Sequence, residues 1–266
     1  MATDEHYTHG HHESVMRSHT WRTIANSAAY FAPHLLPGAR VLDVGCGPGT
    51  ITAEFADRVG DAGSVVGIDA SAEVVAMASE NHQRPHLTFA VADVYALDAA
   101  DDEYDIVHAH QLLQHLADPV AALREMRRVC RPGGLVAARD ADYSASAWFP
   151  ASGQLDAWRS LSLAIGRANG GEPDAGRRML SWAHEAGFTD VTPLASVWCF
   201  ATPEEREWWA GLWADRVTQS HLAEQAIAGG HASRDELASI ADAWRAWASD
   251  PDAWFTVVHG EILARA

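Results

Sequence analysis

Residues 41–49 read VLDVGCGPG, an apolar run with one acid, Asp43, that leads directly into three glycines. Residues 50–59 then have helical spacing, so the stretch predicts a buried strand, a glycine turn and a helix N-terminus. Such a unit forms a cradle for a nucleotide-sized ligand, because glycine lets the backbone bend sharply and approach the ligand closely. The spacing is G-x-G-x-G followed by Thr50, which departs from the dinucleotide pattern G-x-G-x-x-G. The carboxylate of Asp43 suits a ligand with an ammonium group and gives nothing to a pyrophosphate.

The second and third predicted strands also end in side chains that suit a nucleoside. Asp69 closes the strand 64–69, and an acid at that place holds a ribose diol in nucleotide-binding folds. Asp93 and Val94 follow the strand 87–91, where the acid can accept a hydrogen bond from an exocyclic amine and the valine can cover a ring edge. Because parallel strands end at the same edge of a sheet, these residues are expected to line one ligand site.

In this order and spacing, the motifs resemble those of class I S-adenosylmethionine-dependent methyltransferases, and most closely the UbiE-like (ubiquinone/menaquinone-biosynthesis-type) group. The first motif is VLDVGCGPG (41–49), the second is GIDAS (67–71) and the third is ADV (92–94). Residues 110–134, HQLLQHLADPVAALREMRRVCRPGG, resemble the exit of the fourth strand, the helix after it and a Pro-Gly-Gly turn. The resemblance is strong over residues 36–140 and weak elsewhere.

The resemblance implies an α/β fold. The expected architecture is a Rossmann-like, seven-stranded, mostly parallel sheet with helices on both faces and a helical, Trp-rich cap. Its last strand is expected to be antiparallel and to lie between the fifth and the sixth. Within one structural domain, the chain is expected to divide into an N-terminal helical lid (1–35), a cofactor-binding core (36–147), a cap insertion and helix (148–186), and C-terminal strands with a helical insertion (187–266).

Hydrophobic spacing and turn residues set the remaining expected elements. Helices are predicted over residues 14–31 and 174–186, and the fifth strand over residues 134–140. Two helical stretches, around 203–228 and 233–248, precede a last strand near 254–264.

S-adenosyl-L-methionine is the implied cosubstrate. The N-terminal segment of some family members folds over the cofactor, which suggests Tyr7, His12 and Met16 here, and Arg22 is expected to contact the cofactor carboxylate. The alternative for Arg22 is a solvated helix charge. The residues assigned to cofactor binding are Tyr7, Met16, Arg22, Asp43, Gly45, Gly47, Asp69, Ala70, Ser71, Ala92, Asp93, Val94, His110 and Gln111.

Two side chains are candidate catalytic groups. His115 follows the fourth strand and could act as a general base toward a hydroxyl nucleophile. Asp140 follows the fifth strand and could bind or deprotonate the acceptor or hold a cationic substrate, as could Asp142. The alternatives are a histidine packed against the sheet, loop acids in solvent, and methyl transfer that depends on positioning alone.

The second half of the chain is rich in tryptophan, since ten of the eleven tryptophans follow residue 147. Two interpretations are open: the rings pack the cap onto the core, or some of them form an aromatic pocket for a flat or cationic substrate.

Composition limits the partners. The formal net charge is −17 and all nineteen basic residues are arginine, so nucleic acid and anionic membrane surfaces are not expected partners. Three widely spaced cysteines indicate reduced thiols and no zinc site. The tract His9-Gly10-His11-His12 is not expected to bind a metal. The N-terminus has no secretory features and no apolar run suits a membrane span, so a cytoplasmic monomer or homodimer is expected.

The sequence therefore predicts an S-adenosylmethionine-dependent methyltransferase that modifies an oxygen, nitrogen or carbon nucleophile of a small molecule and releases S-adenosylhomocysteine. The alternative is a non-catalytic or regulatory nucleoside-binding protein on the same fold. A nicotinamide-dependent dehydrogenase is disfavoured by Thr50 and Asp43.

Overall fold

The computed structural model describes residues 13–266, with side chains from residue 16 onward. Seven strands form one sheet. In chain order they are β1 (Arg40–Val44), β2 (Ser64–Asp69), β3 (Leu87–Val91), β4 (Tyr104–His110), β5 (Cys130–Phe149), β6 (Asp190–Phe200) and β7 (Trp254–Arg265).

The sheet has the strand order β3-β2-β1-β4-β5-β7-β6. The first five strands are parallel, and β7 is antiparallel to both of its neighbours. This arrangement confirms the expected fold, including the antiparallel last strand between the fifth and the sixth. Strands β2 and β3 are added on one side of β1, and β4 and β5 are added on the other side. Ligands of doubly wound folds bind at the point between β1 and β4 where this order switches.

Helices cover both faces of the sheet. They are α1 (Glu13–Thr20), α2 (Thr50–Val59), α3 (Ala72–Asn81), α4 (Pro119–Val129), α5 (Gly153–Ala168), α6 (Met179–Glu185), α7 (Pro203–Gln219), α8 (His221–Ala228) and α9 (Arg234–Ser249). Side-chain caps fix the N-termini of several helices. Ser71 accepts a hydrogen bond from the Val74 amide at the start of α3, and Asp118 accepts one from the Ala121 amide at the start of α4. Among the residues described, no helix is both long and apolar enough to cross a membrane.

The predicted helix over residues 14–31 is wrong as a single element. Helix α1 ends at Thr20, and a short π-helix, Ile24–Ala28, follows. Thr23 has an extended backbone and its hydroxyl accepts a hydrogen bond from the Asn26 amide, while the Asn26 side chain accepts one from the Thr23 amide. This reciprocal cap starts a new element and therefore separates α1 from the chain after it.

Two other predicted elements also differ in extent. Strand β5 continues to Phe149 because β7 pairs with it along most of its length, with an irregularity between Asp142 and Ala147. The helix expected from residue 174 begins as a 3-10 turn, Ala175–Arg178, and becomes α-helical only at Met179. Helix α5 was not anticipated as a separate element.

Most of the tryptophans belong to the core of the cap. Trp158, Trp213 and Trp244 are fully buried among α5, α7 and α9. The Trp158 ring centroid lies 4.7 Å from that of Trp213 and 5.0 Å from that of Trp244, in edge-to-face geometry. These contacts favour the packing interpretation over the aromatic pocket.

Candidate active site

One large cavity lies at the carboxyl ends of β1, β2, β3 and β4 and has a volume of about 770 Å³. This volume is within the range of small-molecule and cofactor sites, about 300–1,000 Å³. Elements from four parts of the chain form its walls: the segment Ser18–Arg22, the glycine turn after β1, the strand ends, and Tyr143 of β5 with Arg216 of α7. No tryptophan is among the described residues that line it.

The glycine turn gives this cavity a wall of bare backbone. Gly47 has φ +54° and Gly49 has φ +80°, values that favour glycine strongly. A Cβ on Gly49 would lie 2.7 Å from the Phe89 ring, whereas a Cβ on Gly47 would meet only His19 at 3.8 Å. Gly47 is therefore open toward the cavity, and Gly49 is a glycine because the ring of Phe89 leaves no room for a side chain.

Asp69 holds the glycine turn in place at the end of β2. Its Oδ2 accepts a hydrogen bond from the Gly47 amide at 3.1 Å, and its Oδ1 accepts one from the Ser71 amide at 3.0 Å. The carboxylate lines the cavity between the two backbone segments. Each of its oxygens keeps lone-pair capacity for a further donor, such as a hydroxyl of a diol.

Asp43 lies inside the sheet and has two protein partners. The Thr52 hydroxyl donates to its Oδ2 at 2.5 Å and His108 Nδ1 donates to its Oδ1 at 2.7 Å. These bonds connect β1 to α2 and to β4. The carboxylate still lines the cavity, so an ammonium group would bind to a carboxylate that the protein already orients.

A chain of polar side chains crosses the cavity wall at the exit of β4. Arg22 Nη2 donates to Gln111 Oε1 at 2.5 Å, and Gln111 Nε2 donates to His259 Nε2 at 2.8 Å. His259 Nδ1 lies 3.2 Å from the Val257 carbonyl, so the proton is on Nδ1 and Nε2 is the acceptor. Gln111 has φ +50°, and such backbone strain in a residue other than glycine is concentrated at functional sites.

The two histidines at this exit, His110 and His115, are neutral. Burial, and then the Arg22 and Arg139 charges, hold the pKa of His110 well below its ordinary value. Burial followed by the Arg22 charge lowers the pKa of His115 to about 3. Within the described chain, neither ring nitrogen of His110 has a hydrogen-bond partner, although the residue is only 5% exposed and lines the cavity. A buried polar group of this kind is stabilised only when a ligand or water supplies its partner.

Asp140 lies outside the cavity lining, contrary to the sequence-based expectation for a catalytic acid. It is fully buried and its Oδ2 accepts a hydrogen bond from the Leu113 amide at 3.0 Å. Asp142 is also absent from the lining and forms a salt bridge with Arg177 at 2.6 Å. The side chains of both acids therefore point into the protein and not into the cavity, where they stabilise the segments that pack beside β5.

We expect Asp140→Asn to stabilise the protein in a pH-dependent way. Burial raises the pKa of Asp140 to about 7, against the opposing effect of the Leu113 and Gln114 amides. The ionised form is therefore penalised in the folded state, and this penalty is absent below about pH 4, grows toward pH 7 and is complete above it. Urea unfolding should show a gain of at most about 4 kcal/mol at pH 8.5 and almost none at pH 4. Equal destabilisation at both pH values would mean that the carboxylate itself is required.

Thirteen of the predicted site residues line this one cavity: Arg22, Asp43, Gly45, Gly47, Asp69, Ala70, Ser71, Ala92, Asp93, Val94, His110, Gln111 and His115. Met16 is half-buried and lies outside the lining. Tyr7, His12 and the histidine tract lie outside the described residues. The sequence reading missed Tyr143 and Arg216, since nothing near either residue in the sequence indicates a site.

Comparisons with known proteins agree with this geometry. A family model described as a methyltransferase domain matches residues 35–187. A protein named as an uncharacterised methyltransferase of Schizosaccharomyces pombe is 33% identical over 274 residues, which cover 98% of this chain and 97% of that protein. A demethylmenaquinone methyltransferase of Beutenbergia cavernae is 40% identical over 114 residues, 43% of this chain and 45% of that protein.

Among solved structures, a Haemonchus contortus phosphoethanolamine N-methyltransferase bound to S-adenosylhomocysteine has the same fold. The TM-score is 0.54 at 17% identity, over 86% of this chain and 49% of that one. The family model covers more than half of this chain and the yeast relative covers nearly all of it. The chain therefore belongs to the methyltransferase family, and it is an S-adenosylmethionine-dependent enzyme.

Proposed function

We propose that this enzyme transfers the methyl group of S-adenosylmethionine to an oxygen, nitrogen or carbon nucleophile of a small molecule in the cytoplasm, as a monomer or a homodimer. The observation that carries the proposal is one continuous cavity, which joins a glycine turn and three strand-end acids to a second group of polar residues near β4, β5 and α7. Its volume of about 770 Å³ is at the upper end of the usual range and accommodates a cofactor together with a small acceptor.

The residues on the β1–β3 side fit the cofactor. Asp69 would accept hydrogen bonds from the ribose hydroxyls, and Gly47 would let the backbone approach. Asp93 and Val94 would contact the adenine, and Asp43 would attract the ammonium group. Arg22 lines the same cavity and would meet the cofactor carboxylate. When bound, the cofactor supplies an electrophilic methyl group on a positively charged sulfur.

The protein's own contribution is positioning and the exclusion of water. The segment Ser18–Arg22 closes one side of the cavity, and Thr50 donates a hydrogen bond to the His19 carbonyl at 3.2 Å. Gln111 is fixed between Arg22 and His259 at the exit of β4. Rigid walls of this kind favour a defined line of attack, which alone accounts for a large share of the acceleration in transfer reactions.

We expect His115→Ala to lower turnover by less than about 10-fold, because a base with a pKa of about 3 is poorly matched to proton transfer near neutral pH. A well-matched general base would instead contribute about 100-fold or more. The rate profile between pH 5 and 9 should be the same in the variant and the wild type. Gln114→Ala, the neighbouring change, serves as the control for pocket shape. A loss of about 100-fold that is confined to His115→Ala would restore His115 as the base.

Two measurements test the proposed function. Calorimetry with S-adenosylhomocysteine should show binding at one site per chain. Methyl-labelled S-adenosylmethionine, incubated with the protein and the small-molecule fraction of a cell extract, should transfer label to low-molecular-weight products. Label found only in macromolecules would contradict a small-molecule acceptor, and an absence of nucleoside binding would contradict the whole proposal.

A further inference from the structure

We propose that Trp198, a residue of β6 outside the cavity lining, is a positioning residue for methyl transfer. Its indole ring holds the N-terminal segment, residues 18–28, against the sheet, and in this way it fixes Arg22 and the neighbouring pair of Gln111 and His259 at the cavity wall. This inference rests on the proposed function, since Trp198 would act on the bound cofactor through these residues.

The Trp198 ring contacts both ends of the polar chain at the exit of β4, which runs from Arg22 through Gln111 to His259. The guanidinium carbon of Arg22 lies 5.8 Å from the centre of the Trp198 ring, within the distance of about 6 Å at which a cation is attracted to a ring face. The His259 ring centroid lies 4.4 Å from that of Trp198. Gln111 bridges Arg22 and His259 only while these two residues keep one separation, and the ring that contacts both of them sets it.

The indole N–H fixes the backbone on either side of Arg22. Trp198 Nε1 donates a hydrogen bond to the Asn26 carbonyl at 2.6 Å. The Asn26 side chain in turn binds both chain neighbours of Arg22: its Nδ2 donates to the Trp21 carbonyl at 3.0 Å, and its Oδ1 accepts from the Thr23 amide at 2.8 Å. The backbone around Arg22 is therefore tied to Asn26, and Asn26 is tied to Trp198.

Trp198 is itself fixed by the sheet. Its backbone pairs in register with Val257 of β7, and the guanidinium carbon of Arg139 lies 4.9 Å from the centre of its ring. Arg139 is almost fully buried and forms a salt bridge with Glu261 at 3.1 Å. A side chain that packing has locked in this way can hold the residues of a site in a defined geometry. The N-terminal segment is therefore placed against a rigid ring.

The alternative is that Trp198 only packs the core, as most of the cap tryptophans do. Trp158 and Trp244 belong to the same buried cluster, and within the described chain their indole nitrogens have no hydrogen-bond partner. Trp198 differs from them because its indole nitrogen binds the N-terminal segment and its ring contacts two cavity-lining residues, Arg22 and His110. The His110 ring centroid lies 5.8 Å from that of Trp198. These contacts favour a positioning role over packing alone.

Trp247 provides a matched control in the cap. It is 4% exposed, close to the 6% of Trp198, and its Nε1 also donates to a backbone carbonyl, that of Phe149 at 2.9 Å. Its ring contacts Trp244 and Phe255 at centroid distances of 5.7 and 6.0 Å, and none of these residues lines the cavity. The same substitution at either tryptophan therefore removes a buried indole and one hydrogen bond, but only the one at Trp198 removes contacts with cavity residues.

The test compares these variants in the full chain. Trp198→Leu is expected to weaken S-adenosylhomocysteine binding, measured by calorimetry, by about 10-fold. It should also lower the transfer of label from saturating S-adenosylmethionine to the small-molecule fraction of a cell extract by about 100-fold, the scale expected when a site is misplaced by an ångström. Trp247→Leu should lower the thermal transition by a similar amount and leave the affinity and the rate unchanged.

The conservative variant Trp198→Phe keeps a ring and loses the indole N–H, so it should lie between Trp198→Leu and the wild type in S-adenosylhomocysteine affinity. If Trp198→Leu fails to fold, the comparison of Trp198→Phe with Trp247→Phe decides by the same criterion, a loss of affinity that is confined to the variant at Trp198.

A double variant tests whether Trp198 acts through Arg22. If it does, Arg22→Gln combined with Trp198→Leu should bind S-adenosylhomocysteine within about 2-fold of the weaker single variant, whereas independent effects would multiply. Arg22→Gln combined with Trp247→Leu should have the affinity of Arg22→Gln alone.

The outcomes separate this inference from the proposed function. Failure of the wild type to bind S-adenosylhomocysteine would overturn the proposed function itself. With normal binding in the wild type, an unchanged affinity in Trp198→Leu, an equal loss in Trp247→Leu, or losses that multiply in the double variant of Arg22 and Trp198 would each overturn only the positioning role of Trp198.

Discussion

Replacement of Asp69 by alanine is expected to weaken S-adenosylhomocysteine binding by about 30- to 150-fold. This corresponds to about 2–3 kcal/mol, the usual cost of losing hydrogen bonds to a charged group in a binding site. The loss has two physical sources. The ligand loses its acceptor for the ribose hydroxyls, and the glycine turn loses the bonds from the Gly47 and Ser71 amides to the carboxylate. Calorimetry on the purified variant measures the effect directly.

Two control variants separate these sources. Asp69→Asn keeps one oxygen that can accept from a backbone amide, so it should recover part of the affinity if turn geometry matters. Asp98→Ala changes an exposed acid outside the cavity and should leave the affinity unchanged. If Asp69→Ala binds the ligand as tightly as the wild type, Asp69 does not belong to the cofactor site.

The part of the cavity at the ends of β1, β2 and β3 was predictable from sequence because its residues follow local rules. The strands 64–69 and 87–91 were predicted with the bounds that the structure has. Each strand end places its acid or polar residue next to the neighbouring strand end, and a parallel sheet allows no other arrangement. Asp69 and Asp93 were therefore assigned to one site without any knowledge of tertiary contacts, and both line the same cavity.

The part of the cavity that Tyr143 and Arg216 line was not predictable for the opposite reason. Arg216 and Tyr143 are distant in sequence, and only the tertiary packing of α7 and β5 brings them to the same cavity. Arg216 also follows Trp213 on α7, a spacing that in isolation indicates a helix face and not a binding site. Asp140 shows the converse error. Its position after the fifth predicted strand suggested the cavity mouth, but β5 continues through it, and the side chain is fully buried and accepts a hydrogen bond from the Leu113 amide.

The structure of the N-terminal segment was also not predictable from hydrophobic spacing. Hydrophobic spacing predicted one helix over residues 14–31, and that pattern cannot register the reciprocal cap between Thr23 and Asn26. The break has a functional consequence. Because α1 is separated from the elements after it, its residues Ser18 and His19 line the cavity while Trp21 packs against the core and contacts Trp198 at a centroid distance of 5.2 Å.

Deletion of residues 1–20 is accordingly expected to lower turnover by about 100-fold and S-adenosylhomocysteine affinity by about 10-fold, with little loss of stability. Helix α1 contributes Ser18 and His19 to the cavity wall and bridges two elements: the His19 carbonyl accepts from Thr50 at the start of α2, and Arg17 pairs with Asp215 on α7. Without α1, water enters the cavity and the line of attack is no longer fixed. A loss of about 100-fold in turnover is the usual scale when such positioning fails.

Stability should change little because the Arg17–Asp215 pair is partly exposed, with 39% and 34% of the side chains accessible, and such pairs contribute about 1 kcal/mol or less. The thermal transition should therefore fall by no more than about 5 °C. A shorter deletion, of residues 1–12, keeps α1 and shows how much of the effect belongs to the helix itself. Full turnover after removal of residues 1–20 would mean that α1 is no lid, and a collapse of the thermal transition would mean that the segment is part of the fold and not a cover for the site.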